Sequence, residues 1–264
     1  MDLRVFVSAL AISLGACAAA PQPGIHVRHE RPHDAQSFSQ GLEMHGDRLF
    51  ESRGLVGESA ITELNPADGT VKKRVNLPPD QFGEGLTIVD DEIVQLTWQH
   101  GIAHRWTLDL EPIGQYTYTG EGWGLCWDGK QFVMSDGSDQ LTFRDRDFNE
   151  TGHVNVRQDG QPLTQLNELE CANGQVYANV WHQNTIVRID PATGDVTNSY
   201  DLTAWIPQGL GQEQVLNGIA KQPNGAWLIT GKQWPIMLDA TIVEPDLDLS
   251  GLQGFQYWSP IRYS

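Results

Sequence analysis

Gln40-Gly41-Leu42, Glu84-Gly85-Leu86, Trp123-Gly124-Leu125, Asn167-Glu168-Leu169 and Asn217-Gly218-Ile219 are one phrase written five times: a polar or aromatic residue, then Gly or Glu, then an aliphatic residue, a turn and a β-rich run. Its second residues fall at 41, 85, 124, 168 and 218, in steps of 44, 39, 44 and 50. A period of about 40 to 50 residues with several short strands per unit is that of a β-propeller blade, and five units predict an all-β, five-bladed ring in a single domain. The residue that opens each innermost strand of such a ring faces the central channel, so Gln40, Glu84, Trp123, Asn167 and Asn217 are expected to converge. Packing does not require Gln, Glu, Trp and Asn to point inward, so this wall reads as a site.

Each repeat continues in the same grammar, with an apolar stretch, a Gly/Asp/Asn turn and a strand rich in β-branched and aromatic residues. His45-Gly46-Asp47, Asp90-Asp91, Trp127-Asp128-Gly129, Ala172-Asn173-Gly174 and Pro223-Asn224-Gly225 are the hairpin turns. Third strands are expected at 60–64, 102–108, 140–144 and 185–190, and Asn65-Pro66-Ala67-Asp68-Gly69 returns almost unchanged as Asp190-Pro191-Ala192-Thr193-Gly194. No window sustains a helical period; one short helical turn is expected near 203–206. A ring must be closed or its edge strands stay sticky, and the strand-like stretch 24–31 is the expected outer strand of the blade around Trp227.

With 17 basic and 34 acidic residues among 264, the formal charge is -17, which repels phosphate backbones and anionic lipid surfaces and excludes nucleic acid as a natural partner. Arg4 precedes an apolar run at 5–14 that ends in Leu14-Gly15-Ala16-Cys17. The run is shorter than the roughly 20 residues a membrane-crossing helix needs, so it reads as an export signal. Residues 1–16 are the expected signal peptide of lipoprotein type, with Cys17 the lipidated residue; cleavage within Ala18-Ala19-Ala20 is the alternative. Residues 17–23 are then a short linker, 24–244 the propeller and 245–264 a tail packed on the ring. The expected destination is the cell envelope (periplasm or outer membrane), or the medium, as a monomer. Export leaves Cys126 and Cys171 at matching places in adjacent repeats, either bridged or as two separately buried thiols.

Ten short segments, in order, resemble the plant-type glutaminyl-peptide cyclotransferases: Phe38-Ser39-Gln40-Gly41-Leu42, Glu51-Ser52 with Gly54-Leu55, Phe82-Gly83-Glu84-Gly85-Leu86-Thr87, Gln95-Leu96-Thr97-Trp98, Gly122-Trp123-Gly124-Leu125, Ser135-Asp136-Gly137, Leu166-Asn167-Glu168-Leu169-Glu170, Ala178-Asn179-Val180-Trp181, Val215-Leu216-Asn217-Gly218-Ile219-Ala220 and Thr230-Gly231-Lys232-Gln233-Trp234-Pro235. The resemblance implies a five-bladed propeller that turns the N-terminal Gln of a peptide into pyroglutamate and releases ammonia. It further implies Glu84 as acid/base, Asn167 and Lys232 as catalytic partners, and Phe38, Gln40, Trp98, Trp123 and Trp181 as substrate-pocket residues. Two departures are visible: Val56 where the family usually has Tyr, and Ile236-Met237-Leu238-Asp239 in place of a more aromatic run.

The chemistry of such a cyclisation selects the same residue types. One group must take a proton from an amine of ordinary pKa near 8 and hand a proton to an amide nitrogen that cannot leave as an anion, and a single carboxyl can do both. Glu84 lies between two glycines, where backbone can approach a ligand, and a Trp-lined mouth would raise its pKa. Charge growing on the carboxamide oxygen calls for aimed donors, a side-chain amide such as Asn167 and a cation such as Lys232. Trp98, Trp123 and Trp181 would exclude water and hold the Gln side chain folded over its own amine. Trp106, Trp127, Trp205 and Trp227 are expected in packing, and Asn217 either contacts substrate or braces a channel backbone group.

No cofactor is expected to be required. No His-Glu-x-x-His or paired-Cys spacing suggests catalytic zinc, and a calcium ion in the channel on carbonyl oxygens would be structural. Two rival readings are a non-catalytic envelope propeller that binds a protein or peptide partner, and a metal-dependent hydrolase or lactonase, which would want six blades and carboxylates converging on calcium.

Overall fold

The structure, a computed structural model, describes residues 24–244. The segments read from sequence as leader and linker, the expected lipidation site Cys17 and the expected tail at 245–264 lie outside the described residues. Five four-stranded antiparallel sheets follow one another around a ring. Blade 1 consists of Ser39–His45, Arg48–Arg53, Ala60–Leu64 and Val71–Asn76, from channel to rim. Blade 2 is Gly83–Val89, Glu92–Thr97, Ile102–Thr107 and Pro112–Thr117; blade 3 is Leu125–Trp127, Phe132–Ser135, Gln140–Arg144 and Glu150–Asn155. Blade 4 is Leu166–Ala172, Gln175–Val180, Thr185–Ile189 and Val196–Asp201. Blade 5 takes Leu216–Lys221, Trp227–Gly231 and Ile236–Val243 from the end of the described chain and its rim strand, Gly24–Pro32, from the beginning.

Second strands are buried on both faces, as in Trp227–Gly231, while rim strands such as Val71–Asn76 are mostly exposed. The pattern follows from stacking: each blade is sandwiched by two neighbours near the axis and meets water at the rim. The core is therefore five inter-blade layers instead of one interior. Phe50, Ile61 and Leu77 of blade 1 meet Leu86, Ile93 and Trp106 of blade 2, and Leu42, Leu49 and Leu64 meet Ala220, Leu228 and Met237 of blade 5. That last layer exists only once the ring is closed. Closure is made by the antiparallel pairing of Gly24–Pro32 with Ile236–Val243, from Gly24 opposite Val243 to Pro32 opposite Ile236 with a one-residue irregularity between Val27 and His29. Buried Asp239 receives the guanidinium groups of Arg28 and Arg31 from that rim strand.

The small residue of the repeated phrase has a steric reason. A Cβ on Gly41 would stand 2.6 Å from Leu86 N, one on Gly85 2.7 Å from Gly124 Cα, and one on Gly124 2.0 Å from the carbonyl oxygen of Asn167. Inner strands approach more closely here than any side chain allows. Blade 4 carries Glu168 instead of glycine, and its carboxyl reaches across the channel to accept Leu42 N at 3.2 Å and Ile219 N at 2.9 Å.

Cys126 of blade 3 and Cys171 of blade 4 form a disulfide with Cα atoms 5.4 Å apart, which decides between the two arrangements left open by sequence. The long fourth step is taken up by a 3-10 turn, Thr203–Trp205, and the loop that follows it. A two-stranded ribbon, Arg157–Gln158 with Gln161–Pro162, lies between blades 3 and 4; two-residue strands leave no periodicity to read.

Candidate active site

In an antiparallel blade the start of the innermost strand and the end of the second lie on the same face of the ring. Phe38, Gln40, Phe82, Glu84 and Asn167 stand at or just before inner-strand starts, Trp98 and Lys232 just past second-strand ends, and Trp181 likewise after Gln175–Val180. Pairing is irregular between Ser39 and Gly41, Gly83 and Leu86, Leu166 and Leu169, and Leu216 and Ile219, so a bulge falls on the repeated phrase in four blades. A bulge breaks the in/out alternation and re-aims a side chain, which is how an inner-strand residue comes to point at the mouth. Trp123 reaches the same place from an irregular segment before Leu125–Trp127, its ring packed over Gly137, where any Cβ would stand 2.6 Å from the ring and φ is +83°.

These residues enclose a cavity of about 220 Å³ lined by Phe38, Gln40, Phe82, Glu84, Trp98, Trp123, Asn167, Trp181, Glu213 and Lys232. Every catalytic and substrate-pocket residue expected from sequence is in that wall except Asn217. Asn217 is fully buried and donates Nδ2 to Ser39 O at 2.9 Å and to Gln40 Oε1 at 3.1 Å, so it stands behind the wall as a brace. Phe82 and Glu213 were not anticipated. Phe82 precedes Gly83-Glu84 as Phe38 precedes Ser39-Gln40, a parallel that could have found it; Glu213 lies in the long loop of the fourth step, where no repeat signal exists. Trp106 and Trp227 are core residues, as expected.

Glu84 is 5% exposed, and burial drives its carboxyl well above the usual carboxylate range, opposed by the Lys232 charge and reinforced by that of Glu121. Its Oε1 accepts Nε2 of Gln40 at 3.0 Å, and its other oxygen takes no hydrogen bond from the described residues. Lys232 is 4% exposed; burial pushes its ammonium below the usual lysine range, with Glu84 and Glu213 acting in the opposite sense. No hydrogen bond or ion pair among the described residues engages that ammonium, which lies 5.0 Å from the centroid of Phe38 and 6.0 Å from that of Trp181. Asn167 Oδ1 and Trp181 Nε1 are buried polar atoms without a partner. Unspent groups of this kind in a pocket wall are groups a ligand can satisfy.

Below this level the channel holds Glu43, Glu168 and Glu170. Burial raises all three, Glu43 to about 8. Among the described residues no group of three or more His, Cys, Asp or Glu side chains is arranged to hold a metal ion. A larger groove of about 430 Å³ between blades 2 and 3 is lined by charges already paired, Arg105 with Glu92 and Arg146 with Asp90.

A ring of five blades whose mouth gathers a carboxyl of raised pKa, an unspent amide and a desolvated ammonium inside aromatic walls is a β-propeller of the enzyme class. The chain belongs to the glutamine cyclotransferase family, whose model matches residues 4–242, and this is a family of acyl-transferring enzymes. It is 36% identical over 221 residues to a glutaminyl-peptide cyclotransferase of Arabidopsis thaliana, which covers 80% of this chain and 69% of that protein. The crystal structure of Myxococcus xanthus glutaminyl cyclase superposes with a TM-score of 0.78 at 36% identity, covering 84% of this chain and 100% of the other.

Proposed function

We propose that the protein converts the N-terminal glutamine of peptides into pyroglutamate with release of ammonia, with Glu84 as the single acid/base. One observation carries this reading: a buried carboxyl whose pKa burial raises shares one aromatic cavity with a side-chain amide and an ammonium that the described residues leave unsatisfied. A cavity of about 220 Å³ is smaller than the roughly 300 Å³ or more of drug-sized sites and suits one amino-acid side chain with its α-amine.

In the reaction the α-amine nitrogen bonds to the γ-carboxamide carbon and the bond from that carbon to the amide nitrogen breaks. The proton given up by the attacking amine passes to Glu84, and a proton from Glu84 goes to the departing nitrogen, which leaves as ammonia. No water is consumed. Amine and Glu84 share one mobile proton, so a carboxyl whose pKa is raised toward that of an amine is matched to both transfers. Asn167 and Lys232 stabilise the negative charge that grows on the carboxamide oxygen. The tryptophans exclude water and hold the side chain over the amine, so much of the barrier is met by positioning. No step draws on a metal.

The leader ending in Leu14-Gly15-Ala16-Cys17 and the cross-blade disulfide both suit a lipid-anchored protein of the cell envelope, since such bonds persist in oxidising compartments. The test is ammonia release from a Gln-initiated dipeptide, with and without chelator. Chelator-resistant ammonia equal to pyroglutamate is expected from the natural chain, and a fall of at least a hundredfold in kcat from Glu84→Gln with unchanged melting behaviour. Natural activity in Glu84→Gln would refute the assignment.

A further inference from the structure

The walls of the cavity are two separate aromatic runs. On one side Phe38 meets Phe82 at 6.1 Å between centroids and Phe82 meets Trp98 at 5.8 Å. On the other, Trp123 meets Trp181 edge to face at 5.6 Å. At one end the runs are bridged by Lys232, which lies against both Phe38 and Trp181. At the opposite end the bridge is Glu121. Its Oε2 accepts the indole N–H of Trp98 at 2.8 Å and that of Trp123 at 3.0 Å, and its Oε1 accepts Nε2 of Gln99 at 2.9 Å. The circuit Phe38, Phe82, Trp98, Glu121, Trp123, Trp181, Lys232 is closed, with an anion at one junction and a cation at the other.

We propose that Glu121 is a positioning residue of the pocket, which sets the separation of its two aromatic walls by holding the Trp98 and Trp123 indoles on one carboxylate oxygen. This rests on the functional reading given above, since the walls matter only to what they enclose. Glu121 suits the task chemically. Indole nitrogen only donates, so each ring needs an acceptor, and an ionised oxygen can serve two donors at once with charge-assisted bonds. The two rings come from different blades, and Trp98 is 38% exposed, so packing by its own blade does not immobilise it. The loop is anchored at both ends, Gly122 N donating to Trp98 O at 3.0 Å and Trp123 N to Ser135 O at 3.0 Å.

A second effect accompanies the first. Burial acts to raise the Glu121 carboxyl, but the hydrogen bonds from Gln99, Trp123 and Trp98 outweigh it and hold the group below the usual range, so it is an anion at neutral pH. Its charge reaches Glu84, where it supports the protonated state against Lys232. The charged or titratable groups that act on Glu84 or are acted on by it are Lys232, Glu121 and Tyr118, and the neutral Gln40 donates to it. Glu121 thus couples the shape of the box to the proton held inside it.

Glu121→Gln and Glu121→Ala separate the two effects. Gln keeps an acceptor oxygen and loses the charge; Ala loses both. With a Gln-initiated dipeptide, Glu121→Ala should raise KM about tenfold while kcat stays within about threefold, the loss expected when the half-buried Trp123 donor is left unpaired and the exposed Trp98 N–H turns to water. Glu121→Gln should change KM far less. In both variants the limb of the kcat/KM profile that belongs to Glu84, identified because it does not follow the pKa of the substrate amine, should move to lower pH. The indole Nε1–H resonances of Trp98 and Trp123, assigned from the Trp98→Phe and Trp123→Phe variants, should shift in Glu121→Ala. Unchanged KM, pH limb and indole resonances in Glu121→Ala would overturn the proposal. Should Glu121→Ala fail to fold, Glu121→Leu, which likewise offers no acceptor, carries the same decision through KM and the indole resonances. If the natural chain makes no pyroglutamate, the functional reading falls on that result alone, whereas the indole resonances still report whether Glu121 holds the two rings.

Discussion

Gln40 presents its amide nitrogen, and not its oxygen, to Glu84: Nε2 lies 3.0 Å from Oε1 of the carboxyl, and the amide is held in this sense because Asn217 donates to its oxygen at 3.1 Å. Three positions of the same repeated phrase, in blades 5, 1 and 2, form one directed chain of hydrogen bonds. One oxygen of Glu84 is occupied as an acceptor, and the mobile proton belongs to the other. Deletion of the donor by Gln40→Leu is expected to lower kcat about tenfold to a hundredfold, the worth of one hydrogen bond to a charged group, with a smaller change in KM. Steady-state kinetics on a Gln-initiated dipeptide decide it; a loss confined to KM would make Gln40 a binding residue only.

Asn167→Ala and Lys232→Met remove the two groups assigned to the carboxamide oxygen. Each is expected to lower kcat on the order of a hundredfold to a thousandfold. Lys232→Met should also raise the pKa of Glu84, because Lys232 is the charge that opposes burial there. A kcat within threefold of the natural chain in either variant would remove that residue from the mechanism.

The dependence of stability on pH has two opposing sources. Buried His33 lies between Trp234 O at 2.8 Å and Glu51 Oε1 at 2.9 Å, at the seam of blades 1 and 5. Burial acts to lower its pKa, but Glu51 and the Trp234 carbonyl outweigh that and raise it, while Glu51 itself is held down at about 2 by His33, Arg53 and Ser39 against its own burial. The His33 contribution is therefore full below its unfolded value and is lost as pH rises through the folded one. That of Glu51 is full above the ordinary carboxylate range and is lost as pH falls toward 2. Glu43, raised to about 8, binds its proton more tightly in the folded state, so its contribution also disappears as pH rises from the ordinary range to about 8. Melting temperature should accordingly decline from about pH 5 to about pH 8, and Glu43→Gln should flatten that decline. A melting temperature that climbs across this window would contradict the assignment.

The Cys126–Cys171 bridge spans 45 residues. Chain-entropy reasoning assigns a loop of that length about 4 kcal/mol of stabilisation, as an upper figure. Urea unfolding with and without reductant, and of Cys126→Ser/Cys171→Ser, should show a loss of about 2 to 4 kcal/mol with activity retained at low temperature. An unchanged midpoint would mean that the inter-blade packing alone holds blades 3 and 4.

Gly85→Ala places a Cβ 2.7 Å from Gly124 Cα, a backbone atom that cannot rotate away. The inner strands of blades 2 and 3 must separate, at about 1 to 3 kcal/mol of stability, and Glu84 moves with its strand. Thermal melts and kcat measured together should both fall; a stable, fully active Gly85→Ala protein would show that the close approach is dispensable.

Much of this was legible without coordinates because blades are local. The period of the phrase, the Gly/Asn/Asp turns and the alternating strands are short-range properties, and they located five blades, the closing strand at 24–31 and the turn near 203–206; together with the family resemblance they named eight of the ten cavity-lining residues, all but Phe82 and Glu213. Phe82 stood within a quoted motif, in the place that Phe38 occupies one repeat earlier. Glu213 and Glu121 gave no signal, since neither holds a repeated position and each acquires its role from a loop folded over the mouth.

Sequence alone determined that there are five blades and that the channel wall bears polar groups, because repeat spacing and residue chemistry are carried along the chain, and its resemblance to a known family pointed to the carboxyl, amide and ammonium that belong to that wall. Tertiary structure alone decided that Asn217 braces Gln40 from behind, that Cys126 and Cys171 are joined, that Glu168 spans the channel, and that one carboxylate serves two tryptophans. Those are relations between residues of different blades, set by bulges, burial and ring closure, and spacing along a chain does not encode the direction in which a side chain points across a closed ring.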